Sequence, residues 1–303
     1  MNNYRSGFVT LLGRPNVGKS TLINKLVGKK IAITSPTAQT TRNKFKGILT
    51  TQNSQIIFLD TPGIHKPHHL LGEKLVKNAK SAVKGVDLIL LVFDSNHPPG
   101  KGDIYIKDFL ISNKLEFIVV LNKWDLLKEE IKKQRLLEYR QILMRQFTSF
   151  EIVSSRTGEG CEQLINKIKK HLPVGPLLYP QETFFDQSLD IMLAELVREQ
   201  VLLHTREEIP HSVAVKIEKI EKINKHIKNI TAIFATIIVE RKSQKGILIG
   251  KNGSMLKDIG KFSRINMKEV IDGPIYLELF VKVIPNWRKK ESRLIEFGYS
   301  DDF

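Results

Sequence analysis

Cysteine is nearly absent: Cys161 is the only one in 303 residues. A disulfide framework and a cysteine-based zinc site are therefore excluded, and a reducing cytoplasm is the expected home. Cys161 itself reads as a small, semi-buried residue at a helix start. Long apolar runs are missing too. The longest, Leu88 to Phe93, is far short of the roughly eighteen residues a membrane-spanning helix needs. The opening stretch MNNYRSGFVTLLG has neither the apolar core nor the small-residue cleavage site of a secretory signal. Peripheral attachment at the inner face of the cell membrane stays open, and the chain is expected to be mainly monomeric. Acidic residues are scarce beside basic ones, 32 against 48, and the net charge of +16 points to a polyanionic partner. The excess is uneven. Residues 1–180 hold 28 Lys+Arg against 14 Asp+Glu, whereas residues 181–303 hold 20 against 18. Lysines such as Lys74, Lys77 and Lys80 equally suit a solvated helix face.

What is present is ordinary globular material, 41% hydrophobic and 26% charged, in a chain long enough for two domains. Strands are predicted at Phe8–Leu12, Phe45–Leu49, Ile56–Leu59, Leu88–Phe93, Phe117–Leu121 and Glu151–Val153. Helices are predicted over Lys19–Val27, Leu70–Val83, Ile131–Phe147 and Cys161–His171. Strand–helix alternation with continuous apolar strands predicts an α/β domain with a mostly parallel sheet covered on both faces. Pro173–Pro180 has three prolines in eight residues and reads as a linker. Beyond it comes an amphipathic helix over Gln187–Leu203, then alternating segments at Ser212–Ile220 and Ile230–Glu240. Helices at Lys245–Ile249 and Ser254–Val270 and a strand at Ile275–Ile284 follow. That α-β-β-α-α-β order predicts an α+β domain with a three-stranded sheet against three helices. The expected division is 1–173, a proline-rich linker over 174–186, and 187–303.

Gly13-Arg14-Pro15-Asn16-Val17-Gly18-Lys19-Ser20 satisfies the phosphate-loop pattern and lies between a predicted strand and helix, the context it requires. Its glycines let backbone N–H groups turn around phosphate oxygens, and the helix N-terminus adds its dipole. Lys19 would reach the β- and γ-phosphates and Ser20 would ligate Mg²⁺. Asn122-Lys123-Trp124-Asp125 follows the strand Phe117–Leu121. The Asp125 carboxylate can accept from the N1–H and N2–H₂ donors of guanine, a pair adenine lacks. Asn122 would hold neighbouring loops, and the Lys123 stem would cover one face of the base. Asp60-Thr61-Pro62-Gly63 closes another strand: Asp60 would hold Mg²⁺ through water and the Gly63 N–H would sense the γ-phosphate. Gln39-Thr40-Thr41-Arg42 supplies a further metal-binding hydroxyl, Thr41 in preference to Thr40. Ser154 and Ser155 would complete the base pocket.

These motifs, in this order, resemble those of translation-factor-related GTPases, specifically the Era family, from about Ser6 to about Tyr299. The resemblance implies a P-loop GTPase domain followed by a type II KH domain that binds small-subunit ribosomal RNA. It also implies GTP/GDP and Mg²⁺ as ligands, the 30S-type subunit as partner, and a part in small-subunit assembly. Lys19, Thr41, Asp60, Gly63 and Asn16 would serve hydrolysis. Ile64 stands where Ras-like enzymes place a water-orienting glutamine, so backbone groups or a partner must order the attacking water. Intrinsic turnover is then expected on the order of 10⁻⁴ to 10⁻² s⁻¹. Related GTPases with asparagine in the first motif use K⁺; Asn16 is the candidate ligand here, or else a solvent-facing loop residue. GTP is expected to order the loops around Thr41 and Gly63 and change how the domains meet.

In the second domain Gly250-Lys251-Asn252-Gly253 falls where a KH domain places the loop that clamps about four nucleotides. Arg241–Lys268 holds eight basic residues against one acid, Asp258. Lys216, Lys219, Lys222, Lys225 and Lys228 recur every third residue across a strand end and the following loop, as a solvated hairpin or an RNA edge. His65, His68 and His69 read as a polar loop rather than a metal site. The competing readings are a P-loop kinase, which leaves Asn122–Asp125 unexplained, and a passive RNA-binding module with a degenerate G domain.

Overall fold

The computed structural model describes residues 4–35, 45–60, 83, 85–143, 150–225 and 228–299. The helix predicted over Leu70–Val83 lies outside them, Val83 apart. The chain forms two compact units. The first runs to Asp186 without residues 33–35, which group with the second from Gln187 onward.

The first unit is a six-stranded sheet in the order β2-β3-β1-β4-β5-β6. Its strands are β1 (Arg5–Leu12), β2 (Phe45–Thr51), β3 (Ser54–Asp60), β4 (Leu88–Asp94), β5 (Phe117–Asn122) and β6 (Glu151–Ile152). All pairings are parallel except the β2–β3 hairpin. Every residue of β4 and β5 is buried, because both faces of the sheet are covered. On one face α1 (Lys19–Val27) and α4 (Cys161–His171) bury Leu22, Ile23, Leu164 and Ile168. On the other, α2 (Lys101–Ser112) and α3 (Glu129–Leu143) bury Ile106, Leu110, Tyr139 and Leu143. The strands of a parallel sheet end together, so the C-terminal ends of β1, β3, β4, β5 and β6 gather along one rim.

The proline-rich stretch does not hang free of this unit. Buried Gln55 accepts from the N–H groups of Leu178 and Tyr179 (2.8 and 2.9 Å) and donates to the Tyr179 carbonyl (2.9 Å). The Ile48 N–H donates to the Phe184 carbonyl at 2.8 Å and the Asp186 N–H to the Lys46 carbonyl at 3.2 Å, so residues 184–186 cover the otherwise open edge of β2. Lys46 and Tyr179 both donate to Asp186, which holds that carboxyl below its usual range.

The second unit is a three-stranded sheet of β7 (Ala214–Lys225), β8 (Lys228–Val239) and β9 (Ile275–Val283). The first two are antiparallel and the last two parallel. α5 (Leu189–His204), α7 (Lys242–Ile249) and α8 (Ser254–Met267) supply Leu193, Val197, Leu248, Ile259 and Met267 to one core with Ile233, Ile237, Leu277 and Val281. Two short helices, α6 (Ile209–Ser212) and α9 (Glu291–Glu296), add to the predicted set. Trp287, fully buried, donates its indole N–H to the Ser212 carbonyl and stacks on Tyr299.

The lysine series from Lys216 to Lys228 corrects the sequence reading. All five lie on strands, not in a loop. A bulge between Ile217 and Lys219 shifts the register by one residue, so Lys216 and Lys219 share a face opposite Thr236 and Phe234. Lys222, opposite Thr231, falls on the other face.

Candidate nucleotide and RNA sites

The loop from Gly13 to Ser20 joins β1 to α1 at the sheet rim. Gly18 has φ +94°, and a Cβ there would lie 2.4 Å from the Asn122 amide nitrogen, so only glycine keeps the backbone this close. Asn122 donates to the Val17 carbonyl at 2.9 Å and accepts from the Ser155 N–H at 3.1 Å, tying three loops together. Arg14 reaches out of the loop to Asp103 in the first turn of α2 (2.8 Å), and Asp103 also accepts from the Gly100 N–H. Pro15 is half-buried, whereas Asn16 is exposed in a left-handed conformation, φ 66°.

Lys19 is buried, and its ammonium donates to the carbonyls of Gly13 and Arg14 at 3.2 and 3.1 Å. Ser20 donates to Asp60 at 2.7 Å, across from the end of β3. A hydroxyl and a carboxylate side by side form an oxygen donor set suited to Mg²⁺, and the glycine-lined loop beside them suits phosphate. The residues present therefore fit both groups. Thr41, Thr61, Pro62, Gly63, Ile64, the stretch Gln39–Arg42 and His65, His68 and His69 lie outside the described residues.

The turn over Asn122–Asp125 follows β5. Lys123 adopts φ 62°, which starts the single turn Trp124–Leu126 and brings Asp125 to the rim. Ser154 donates to Asp125 at 2.7 Å, and the buried Trp124 bonds the Val153 carbonyl through its N–H. The Lys123 ammonium donates to the Asn16 carbonyl (2.6 Å) and to Asp94 (2.7 Å). Asp94 and Asp103 were not among the predicted site residues. Asp94 closes β4 opposite Asn122 in register, and a carboxylate at the rim end of a parallel strand is the signal that points to it. Nothing in the sequence pairs Asp103 with Arg14.

Burial lowers the Lys19 pKa from 10.5 to about 8, and the charge of Asp60 partly opposes that fall. The sign of the consequence follows from linkage. With the folded pKa depressed, burying the charged amine costs stability below pH 8, and stability recovers as pH rises from 8 toward 10.5. Phosphates restore a partner and raise the pKa, so nucleotide binding takes up a proton above pH 8. Affinity for a fluorescent GDP should be level from pH 7 to 8 and then fall by up to about tenfold per unit. A flat profile to pH 9.5 would mean that Lys19 is fully charged without phosphate.

In the second unit Gly250 closes α7 with φ 70°, where a Cβ would come within 2.8 Å of Met255. Lys251, Asn252 and Gly253 form a single turn in which Lys251 and Asn252 are exposed, with Asn252 left-handed at φ 53°, and α8 starts directly after it. Gln244 fixes the other end of α7 by accepting from the N–H groups of Glu240 and Arg241 and donating to Ser212. The turn is thus held between two anchored helices with Lys251 projecting into solvent.

A glycine-lined loop, a hydroxyl–carboxylate pair suited to Mg²⁺ and the Asn122–Asp125 turn on one parallel rim fit a guanine-nucleotide-binding protein of the P-loop class. Residues 8–123 match the family described as 50S ribosome-binding GTPase, and residues 208–288 match the KH domain. The chain belongs to the GTPase Era family. It is 52% identical to GTPase Era of Crocosphaera subtropica over 98% of this chain and 93% of that relative. GTPase Era of Heliobacterium modesticaldum is 45% identical over 99% of both. A crystal structure of Era with MgGDPNP and nucleotides 1506–1542 of 16S ribosomal RNA is similar at TM-score 0.92 and 39% identity. It covers 98% of this chain and 99% of that one. A variant of Aquifex aeolicus Era bound to GDP and AlF₄⁻ is similar at TM-score 0.91 and 38% identity, covering 98% and 99%.

Proposed function

We propose that this protein binds and slowly hydrolyses GTP, and that its KH unit holds small-subunit ribosomal RNA during assembly of the 30S-type subunit. The observation that carries the reading is the pairing, in one chain, of the Asn122–Asp125–Ser154 base turn beside a phosphate loop with an exposed Gly250–Gly253 turn between anchored helices. A kinase has no use for the second, and a passive RNA module has none for the first. The relative solved with MgGDPNP and 16S nucleotides joins the same two ligands.

In this reading Lys19 leaves the Gly13 and Arg14 carbonyls for the β- and γ-phosphates, and loop N–H groups cradle the same oxygens. Ser20, Thr41 and Asp60 would hold Mg²⁺, which supplies charge neutralisation at the phosphates when bound. Asp125 would accept the guanine donors, with Ser154 and Ser155 beside it. Gly63 would read the γ-phosphate, while Ile64 offers water no hydrogen bond. Positive charge for the transition state would then come from K⁺ held by Asn16. Turnover should be at least several-fold faster in K⁺ than in Na⁺ at equal ionic strength, and Asn16→Ala should remove the difference with little change in GDP affinity. Equal wild-type rates in both salts would exclude the potassium site.

The domain division 1–173, 174–186 and 187–303 serves a switch in which nucleotide state biases RNA affinity. RNA titrations with a GTP analogue and with GDP test this. Different affinities are expected, and linkage then requires RNA to change the affinity for the GTP analogue relative to GDP by that same factor. Identical RNA affinity in both states would leave two uncoupled activities. No helix among the described residues is long and apolar enough to cross a membrane. Attachment at the inner membrane face, a cytoplasmic location and a mainly monomeric state stand as expectations of this proposal.

A further inference from the structure

The loop from Gly13 to Ser20 is braced from two sides. Asn122 and Lys123 hold its second half by donating to the carbonyls of Val17 and Asn16, at 2.9 and 2.6 Å. The first half leans the other way, onto α2. The Arg14 Nε–H donates to Asp103 at 2.8 Å, and the Arg14 carbonyl is one of the two on which the Lys19 ammonium rests. The Asp103 side chain is 1% exposed, against 32% for Arg14. A carboxylate that far from water keeps its charge only beside a cation, and Arg14 is that cation.

Asp103 also caps α2 by accepting from the Gly100 N–H at 2.8 Å, so the helix has a use for it without the loop. What joins helix to loop is the fit of Arg14 itself, and two glycines make room for it. A Cβ at Gly102 would lie 2.8 Å from Arg14 Cδ and 3.2 Å from its Cγ. One at Gly100 would lie 3.3 Å from a terminal nitrogen of the same guanidinium. Among the described residues, Arg14 supplies the only atoms within 4 Å of the Gly102 position. Gly102 stands in the first turn of α2, where alanine is ordinarily the better helix former. Helix formation favours a methyl group there; the Arg14 side chain excludes it.

We infer that Asp103 is a positioning residue for the phosphate loop. With Gly100 and Gly102 it forms a seat on α2 that fixes the Arg14 side chain, and through it the backbone that meets the nucleotide phosphates. The inference deepens the nucleotide-site reading and rests on it. The seat holds one loop shape for GDP, for GTP and for the transition state. Its loss therefore weakens all three alike, so that KM rises while kcat stays.

The test compares wild type with Gly102→Ala, with Asp103→Asn, and with Arg14→Ala/Asp103→Asn before and after Gly102→Ala is added. Release of a fluorescent GDP, KM and kcat for GTP, and thermal unfolding are measured for each. Gly102→Ala should release GDP about tenfold faster and raise KM by a similar factor, with kcat within about twofold of wild type. Its melting temperature should be at or above that of wild type, which a merely structural glycine would not allow. Asp103→Asn keeps an oxygen for the Gly100 N–H and should show the same split between KM and kcat. Adding Gly102→Ala to Arg14→Ala/Asp103→Asn should change nothing further, because no side chain is left to displace. Unchanged GDP release by a folded Gly102→Ala, or an equal further loss in the variant lacking the Arg14 side chain, would overturn the seat. A fall in kcat at unchanged KM would overturn it too, placing the effect in the transition state alone. Wild type that binds no fluorescent GDP would overturn the nucleotide site and the seat together.

Discussion

Asp125→Asn should turn a guanine site into a xanthine site. The carboxylate sits on the turn after β5, braced by the Ser154 hydroxyl at 2.7 Å. An amide oxygen accepts that same hydrogen bond, so the turn should keep its shape. What changes is the edge offered to the base. A carboxylate accepts from both N1–H and N2–H₂ of guanine, whereas an amide accepts once and presents a donor that repels the second. Losing a charge-assisted pair in this way should weaken GTP by at least a hundredfold, about 2.8 kcal/mol. Xanthine carries a carbonyl where guanine has its exocyclic amine, and the amide N–H can donate to it. Competition of GTP and XTP against a fluorescent nucleotide measures the switch. An unchanged preference in a folded mutant would place base recognition elsewhere in the chain.

Replacing Lys251 and Asn252 together by aspartate should separate the two activities. Both residues are exposed, and Asn252 has φ 53°, a left-handed conformation that aspartate also tolerates. The Gly250 approach to Met255 and the Gln244 anchor are untouched, so the turn should survive with its charge reversed. RNA affinity should fall at least tenfold, about 1.4 kcal/mol, and its salt dependence should flatten as phosphate contacts are lost. GTP affinity measured without RNA should not change, since Gly13–Ser20 and Asn122–Asp125 lie in the other unit. RNA binding at wild-type strength would refute the clamp.

Much of both sites was legible because their chemistry is local. Gly13–Ser20, Asn122–Asp125 and Gly250–Gly253 are contiguous, and each takes a backbone geometry that its own residues favour. The sheet was legible for a related reason: β4 and β5 are buried on both faces and therefore read as unbroken apolar runs. What escaped depends on contacts between distant residues. Arg14 and Asp103 meet only once α2 is packed beside the loop. Gln55 looks like a routine polar residue in a strand until the Leu178–Tyr179 backbone is laid against it. Helix α2 was missed because its first turn carries Ile104 and Tyr105 into solvent and blurs the amphipathic pattern. β7 runs on to Lys225, beyond the predicted Ser212–Ile220, because Glu221, Lys222, Asn224 and Lys225 make its far end read as a polar loop.

Phosphate release by the purified chain, with GTP and ATP assayed side by side and Lys19→Ala as control, tests the central claim most directly. Wild type should hydrolyse GTP on the order of 10⁻⁴ to 10⁻² s⁻¹ with Mg²⁺ and K⁺ present, and Lys19→Ala should be inactive. ATP should neither be hydrolysed nor compete. Equal turnover of ATP, or no turnover of GTP by a protein that binds it, would contradict the account.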